Sequence, residues 1–391
     1  MNTTTPKEEI SQRIENLKNR LATEGLDGAL FSYAVDVFYF TGTRQNAVVW
    51  IPIDSAPVLL VRKSFIRSLR ESNVEDVRPF SSSRDLADII GKQIRKIGLT
   101  FDVLPLQHFN FFRNNIGDCK FLDISSMNRE LRSVKSAWEL EQMRMSGSLL
   151  AEAFSKIPEF LRPGMRELDL AAELEYSLRK TGIGGYLRIR GFNQEITGIA
   201  ASGGNSAVAG CFDGPVTGKG HWTAAPYGPS TDCIGKGVPI IVDYGGFYNG
   251  YIADMTRIFC FGSLDPELER AFDISLGIQE LLKNNLTPGS ICEDLFHSAA
   301  KMASDAGIGE HFMGCPGELA KFVGHGVGLE LDELPVLAPK FKAILEAGQT
   351  IAIEPKFLFP GKGAVGIENT MAIKDKGCEK LTGLPDEIVY L

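Results

Sequence analysis

Apolar residues recur at helical spacing over residues 7–24, where Ile10, Ile14, Leu17 and Leu21 share one face and Gly25 follows as a stop. Short apolar runs rich in β-branched and aromatic residues come next, at 29–33, 37–40, 47–53 and 57–62, and are predicted as strands. A helix over 83–96 and a strand over 98–104 extend this alternating α/β pattern. The pattern changes near residues 128–135. Ser136-Ala-Trp-Glu139 then has the form of a capping box and starts a helix predicted to run to about residue 160. Leu161-Arg-Pro163-Gly164 breaks it, and a second helix spans about 166–180 before Gly182.

After Gly-rich, β-prone segments the chain reaches 238–261, two β-rich runs flanking Gly-Gly and Asn-Gly, a strong hairpin signal. Asp243 and Asp254 lie on its two arms. A turn centred on Tyr248-Asn249 pairs them directly; one centred on Asn249-Gly250 displaces them by two residues and keeps them on one face. The order then repeats. Asp265-Pro266 opens a helix predicted to about residue 285, Leu286-Thr-Pro288-Gly289 breaks it, and a helix over 290–306 precedes Gly307. A second acidic hairpin follows, with Glu354 and Glu368 mirror-placed about Gly361. Residues 135–391 thus read as two αα-then-ββ halves related by a pseudo-twofold, a duplication rather than a solenoid. The fold class expected is α+β, with residues 1–132 an α/β domain and residues 133–391 the domain carrying the chemistry.

Two carboxylates on facing strands have Cβ atoms ~5 Å apart, and their repulsion is roughly 3 kcal/mol at an effective dielectric near 20. A divalent cation would offset it. Between the hairpins lies Gly324-His325-Gly326-Val327-Gly328, an imidazole in backbone able to approach closely to a ligand. Asp243, Asp254, His325, Glu354 and Glu368 form a hard, oxygen-rich set able to hold two divalent metal ions; it favours Mn2+, with Co2+, Fe2+ or Zn2+ as possible occupants.

Composition narrows the rest. The 391 residues are 44% hydrophobic, enough for two cores. A formal charge of −8 with no basic run argues against a nucleic-acid partner. No apolar stretch reaches membrane-spanning length and the N-terminus lacks a signal-peptide core, so no membrane partner is expected. The seven scattered cysteines without CxxC spacing indicate free thiols and a cytoplasmic location. His108, in an aromatic stretch, reads as a packing residue; His297 and His311 read as helix or loop surface.

These features resemble the "pita-bread" metallopeptidases, namely prolidase, Xaa-Pro aminopeptidase and methionine aminopeptidase, with creatinase as a metal-free relative. Leu26-Asp27-Gly28-Ala29-Leu30 and Phe38-Tyr-Phe-Thr-Gly42 look like the N-terminal domain of the prolidase and aminopeptidase P branch. The resemblance implies that Asp243 chelates one ion and His325 the other, that Asp254 and Glu368 bridge both, and that Glu354 binds metal while moving the proton. It also implies a metal-bridged hydroxide attacking an amide carbonyl, a short peptide with proline in second position as substrate, and a homodimer. The N-terminal domain would shape a cavity or a dimer contact.

Three departures stand against the peptidase pattern. Ala201-Ser-Gly-Gly-Asn-Ser-Ala-Val-Ala-Gly210 ends in glycine where peptidases of this branch carry a histidine. Asp332, in Leu331-Asp-Glu-Leu-Pro335, takes the place of a second histidine, and Gly366 replaces an arginine. The Gly- and Pro-rich segment 211–237 is longer than usual, and His221 within it is a candidate replacement donor, while Asp332 is a candidate acid or cation-binding group. Two alternatives therefore accompany the Xaa-Pro hydrolase reading: a metal-dependent enzyme acting on a non-peptide small molecule, and a non-catalytic binding module.

Overall fold

A computed structural model describes residues 4–183 and 187–391. The chain divides into two units, Met1–Arg132 and Ser133–Leu391. The first is built on a six-stranded sheet of β1 (Gly28–Phe31), β2 (Ala47–Pro52), β3 (Val58–Val61), β4 (Asp76–Pro79), β5 (Lys96–Leu99) and β6 (Lys120–Asp123), in the order β4-β3-β2-β1-β5-β6. Helix Lys7–Thr23 buries Ile10, Ile14, Leu17 and Leu21, the stripe its spacing predicts.

Residues 37–40, expected as a strand, are instead part of helix Ala34–Thr41. The run is apolar on every side, so its period favours neither structure. A buried polar knot decides it: Asp36 accepts from Asn128 Nδ2 at 2.8 Å and pairs with Arg132 Nη1 at 3.0 Å, and Gly42 ends the helix at φ +81°. The helix expected over 83–96 stops at Ile90 because Gly91 turns to φ +79°, and β5 accordingly begins earlier than expected. His108 is exposed on helix Leu106–Ile116, not packed with its phenylalanine neighbours.

The second unit repeats a pair of helices followed by a hairpin. Helices Ala137–Ser155 and Glu167–Thr181 form the first pair, Pro266–Asn285 and Cys292–Asp305 the second. The capping box closes as its sequence predicts: Glu139 N donates to Ser136 Oγ at 3.1 Å, and Ser136 N to Glu139 Oε2 at 2.9 Å. Asp265 caps the third helix of this set through Glu267 N at 2.9 Å.

The strands are β7 (Ile199–Ser202), β8 (Ile240–Tyr248), β9 (Tyr251–Cys260), a ribbon of β10 (Gly314–Cys315) and β11 (Glu318–Leu319), β12 (Gly324–Gly326), β13 (Glu333–Leu337), β14 (Thr350–Ile353), β15 (Lys356–Phe359), β16 (Gly363–Gly366), β17 (Glu368–Ile373), β18 (Cys378–Lys380) and β19 (Ile388–Tyr390). A nine-stranded sheet runs β13-β12-β14-β17-β9-β8-β7, with β18 on β17 and β19 on β9.

Turn chemistry sets the register. Asn249 and Gly250 both take positive φ, 49° and 90°, so the first hairpin pairs Tyr248 with Tyr251 and Asp243 with Thr256. The second hairpin pairs Thr350 with Ala372 and Lys356 with Gly366, both symmetric about Gly361. Pro355, which has no N–H to donate, separates its two ladders.

Glu167 ties the first helix pair to the sheet. Its buried carboxylate accepts from Ser202 N at 2.7 Å, Ser202 Oγ at 3.0 Å, Ser230 N at 3.0 Å and Ser230 Oγ at 2.7 Å. Glu167→Ala strands two buried backbone N–H groups, so we expect it to lower the stability of this unit by about 3 kcal/mol in urea denaturation. A loss below about 1 kcal/mol would mean that water replaces the carboxylate at no great cost.

Candidate metal centre

Antiparallel register brings the acidic and histidine positions onto one face of the large sheet in two adjacent rungs. In one rung, Glu368 on β17 pairs with Thr256 on β9, which pairs with Asp243 on β8. In the other, His325 on β12 pairs with Ala352 on β14, Ala352 pairs with Thr370 on β17, and Thr370 is bonded to Asp254 on β9. Residues two apart on a strand face the same way, so Glu368 shares the side of Thr370 and Asp254 that of Thr256, and Glu354, one residue past β14, continues the side of Ala352. Arg257 points into the protein and fixes the strands beneath, donating to the Thr256 and Glu368 carbonyls at 2.7 and 3.0 Å.

Donor atoms of Asp254, His325 and Glu368 lie within 4.8 Å of one another, and all three side chains are buried. His325 Nε2 is 3.6 Å from Glu354 Oε1 and 4.0 Å from Glu368 Oε1. Its Nδ1 is 3.0 and 3.1 Å from the carbonyl oxygens of Leu331 and Gly326. Carbonyls only accept, so Nδ1 carries a hydrogen and Nε2 faces the carboxylates, the orientation a metal-ligating imidazole needs. The chemistry of this donor set fits a divalent cation.

Lys356 is the unforeseen member. Its side chain is 1% exposed, and Nζ donates to Asp243 Oδ2 at 2.8 Å, Glu354 Oε2 at 2.7 Å and Glu368 Oε2 at 2.9 Å. Each of its three hydrogens has an acceptor. Of the five residues expected as ligands, the structure therefore gathers Asp254, His325 and Glu368 around one point. It holds Asp243 to an ammonium, and Glu354 and Glu368 divide their two oxygens between the imidazole side and Lys356. Period two applied to Glu354-Pro355-Lys356 was the signal that could have found the lysine: residues 354 and 356 share a face, and the run Phe357–Phe359 beyond offers no counter-ion.

Burial raises the pKa of Asp254 well above the ordinary carboxylate range, with Glu368 and Asp243 adding to the rise. Burial also raises Asp243 and Glu368, against the pull of Lys356. For Lys356 burial opposes the charge, but Asp243, Glu354 and Glu368 outweigh it and raise its pKa well above the usual lysine value. For His325 burial again opposes the charge, and Asp332, then Glu354, Glu368 and Asp254, lift the pKa to about 9. A cation binding at Nε2 would displace that proton.

The cavity over this centre, about 70 Å3, has an acidic base and apolar walls that include Leu187, Ile196, Phe212 and Phe322. Asp332 lines it, with Oδ1 3.4 Å from His325 Nδ1, while half its surface stays open. The structure does not bring His221 there. Gly220 N bonds to Gly228 O and Gly228 N to Thr217 O, closing a tight loop that carries His221 outward, exposed, against Trp222 at 4.3 Å between ring centroids. An earlier part of the same segment, residues 212–216, reaches the cavity instead. Gly210 packs against Thr217, where an added Cβ would lie 2.3 Å from the threonine methyl. His297 is exposed, whereas His311 is partly covered and stacks on Phe359 at 4.3 Å.

A hard-donor cluster on a duplicated αα-ββ sheet defines a metallohydrolase-type architecture, and comparison with known proteins fixes the family. Residues 141–375 match metallopeptidase family M24, and residues 13–134 match the creatinase/prolidase N-terminal domain. The chain belongs to metallopeptidase family M24. It is 25% identical to the Xaa-Pro dipeptidase of Pyrococcus furiosus over 382 residues, covering 97% of this chain and 100% of that protein. Among solved structures, the Xaa-Pro dipeptidase from Bacillus anthracis superposes with a TM-score of 0.84 at 25% identity, covering 98% of this chain and 100% of that one. The X-Pro aminopeptidase from Thermotoga maritima gives 0.81 at 26% identity, with 96% and 99% covered.

The Asp332–His325 pair yields a titration test. A histidine whose folded pKa is raised contributes stability that is fully present below its ordinary value of 6.5 and is lost as pH rises through about 9. Asp332→Asn should lower the His325 pKa by roughly one unit or more in NMR titration of the metal-free protein. An unchanged pKa would assign the shift to the buried carboxylates alone.

Proposed function

We propose that the chain is a metal-dependent hydrolase of short peptides with proline in second position, an Xaa-Pro dipeptidase or aminopeptidase. The observation that carries this reading is the convergence of Asp254, His325 and Glu368 donors, with Glu354 beside them, under a cavity with apolar walls. Asp254, His325 and Glu368 would hold the ion, and Glu354 adds an oxygen on the same side. The oxygen-rich set favours Mn2+, with Co2+, Fe2+ or Zn2+ as alternatives. A divalent ion held there polarises a carbonyl and acidifies a water.

The chain's own groups do the rest. Glu354 has one oxygen toward Lys356 and the other toward the imidazole, which suits it to accept a proton and pass it to a leaving nitrogen. Leu187, Ile196 and Phe322 would cover a prolyl pyrrolidine ring and exclude water from it. Glu195, Asp213 and Asp332 also line the cavity and would attract a protonated peptide N-terminus. The two-ion arrangement that the sequence suggests, with Asp243 as a chelating ligand, requires a second cation among Asp243, Asp254 and Glu368. Lys356 already bonds two of those three.

A second reading, a metal-dependent enzyme on a non-peptide small molecule, is favoured by one observation. Among the described residues His325 is the only histidine lining the cavity, since Gly210 and Asp332 replace the two imidazoles that resemblance to the peptidases suggests. We also place the chain in the cytoplasm, because its seven cysteines are all free, and assign it a homodimeric assembly. No helix among the described residues is long and apolar enough to cross a membrane.

Purified protein supplied with Mn2+ should hydrolyse Ala-Pro or X-Pro-X peptides, lose activity to a chelator, and lose it in His325→Ala. Metal uptake without turnover of any prolyl peptide would shift the assignment to the non-peptide substrate. Absence of metal uptake would contradict both readings.

A further inference from the structure

We propose that the Lys356 ammonium is the second cation of this centre, so that the chain takes up one divalent ion where its architecture provides for two cations. The inference deepens the metal-dependent reading above and goes beyond it in the number and kind of cations.

Position is the first argument. Nζ contacts one oxygen each of Asp243, Glu354 and Glu368 at 2.7–2.9 Å. An ion ligated by those same oxygens at about 2.1 Å would fill the space the ammonium fills. The second argument is how the shared carboxylates are divided. Glu354 and Glu368 each direct Oε2 to Lys356 and Oε1 toward His325. They bridge two cation positions, one of which is built into the chain.

The third argument is that the lysine is fixed. It lies on β15, only 1% exposed, opposite Gly366 on β16. A Cβ at Gly366 would lie 2.6 Å from Lys356 Cγ, so the lysine stem occupies room that only glycine leaves. All three of its hydrogens are used on the centre itself. Moving it aside would break three charge-assisted bonds at once.

Charge agrees with position. With an ion bound and all four ionised, the carboxylates Asp243, Asp254, Glu354 and Glu368 supply four negative charges, and the ammonium with one divalent ion leaves a single negative charge. A second divalent ion would have to enter beside a cation at hydrogen-bonding distance from its own ligands. Asp254, which makes no contact with Lys356 within ion-pair distance among the described pairs, is left with His325 and Glu368 for the ion that does bind.

Metal stoichiometry tests this without reference to activity. Isothermal titration with Mn2+ and elemental analysis of dialysed protein should give about one ion per chain for the wild type and about two for Lys356→Ala. Lys356→Met, which keeps the stem and removes the charge, should also take up more than one, and serves if the alanine variant folds poorly. Thermal stability should fall in either metal-free variant and recover with Mn2+. Two ions in the wild type, or one ion in both variants, would overturn the inference while leaving the metal-dependent reading intact. No uptake by any of the proteins would overturn both.

Discussion

Four carboxylates directed to one face of a buried sheet repel one another, and removal from water makes that repulsion stronger. The rest of the larger unit is arranged around meeting this cost. Burial and mutual repulsion hold the pKa of Asp254 well above the ordinary range, and His325 and Lys356 are placed where positive charge relieves it. The β-ladders supply the geometry: β8, β9, β14 and β17 are adjacent strands in a fixed register, so side chains from residues more than a hundred positions apart meet at hydrogen-bonding distance.

Layers beneath the site keep that register. The Asn249-Gly250 turn sets one hairpin and the symmetry about Gly361 sets the other. Arg257 binds the backbone of β9 and β17 from below, and Glu167 ties the first helix pair to β7. Cations are therefore needed at one face of a sheet already rigid on the other, and a preorganised donor set of this kind is what metal-assisted hydrolysis requires.

Much of this was legible in the chain. Period-two alternation and turn residues located both hairpins and left two registers for the first, of which the structure takes the one centred on Asn249-Gly250. Capping residues at Ser136 and Asp265 marked helix starts to within a residue. The apolar run at 37–40 misled because a helix buried on all sides has no pattern to show, and its deciding partners, Asn128 and Arg132, lie some ninety residues away. The place of His221 in the sequence pointed to the site, whereas the backbone bonds of Gly220 and Gly228 set its direction outward. Lys356 stands outside the pattern because a protonated amine offers a cation no lone pair, so carboxylate and imidazole spacing does not point to it. The same alternation that placed Glu354 on the site face places it there too.

The occupancy of the two cation positions is most directly visible by crystallography of the protein grown with Mn2+, using anomalous scattering at the manganese edge. We expect one anomalous peak, bounded by Asp254, His325 and Glu368, with the Lys356 ammonium still bonded to Asp243, Glu354 and Glu368. Two peaks, with the lysine displaced from between those carboxylates, would contradict the view that this chain carries one of its cations in its own sequence.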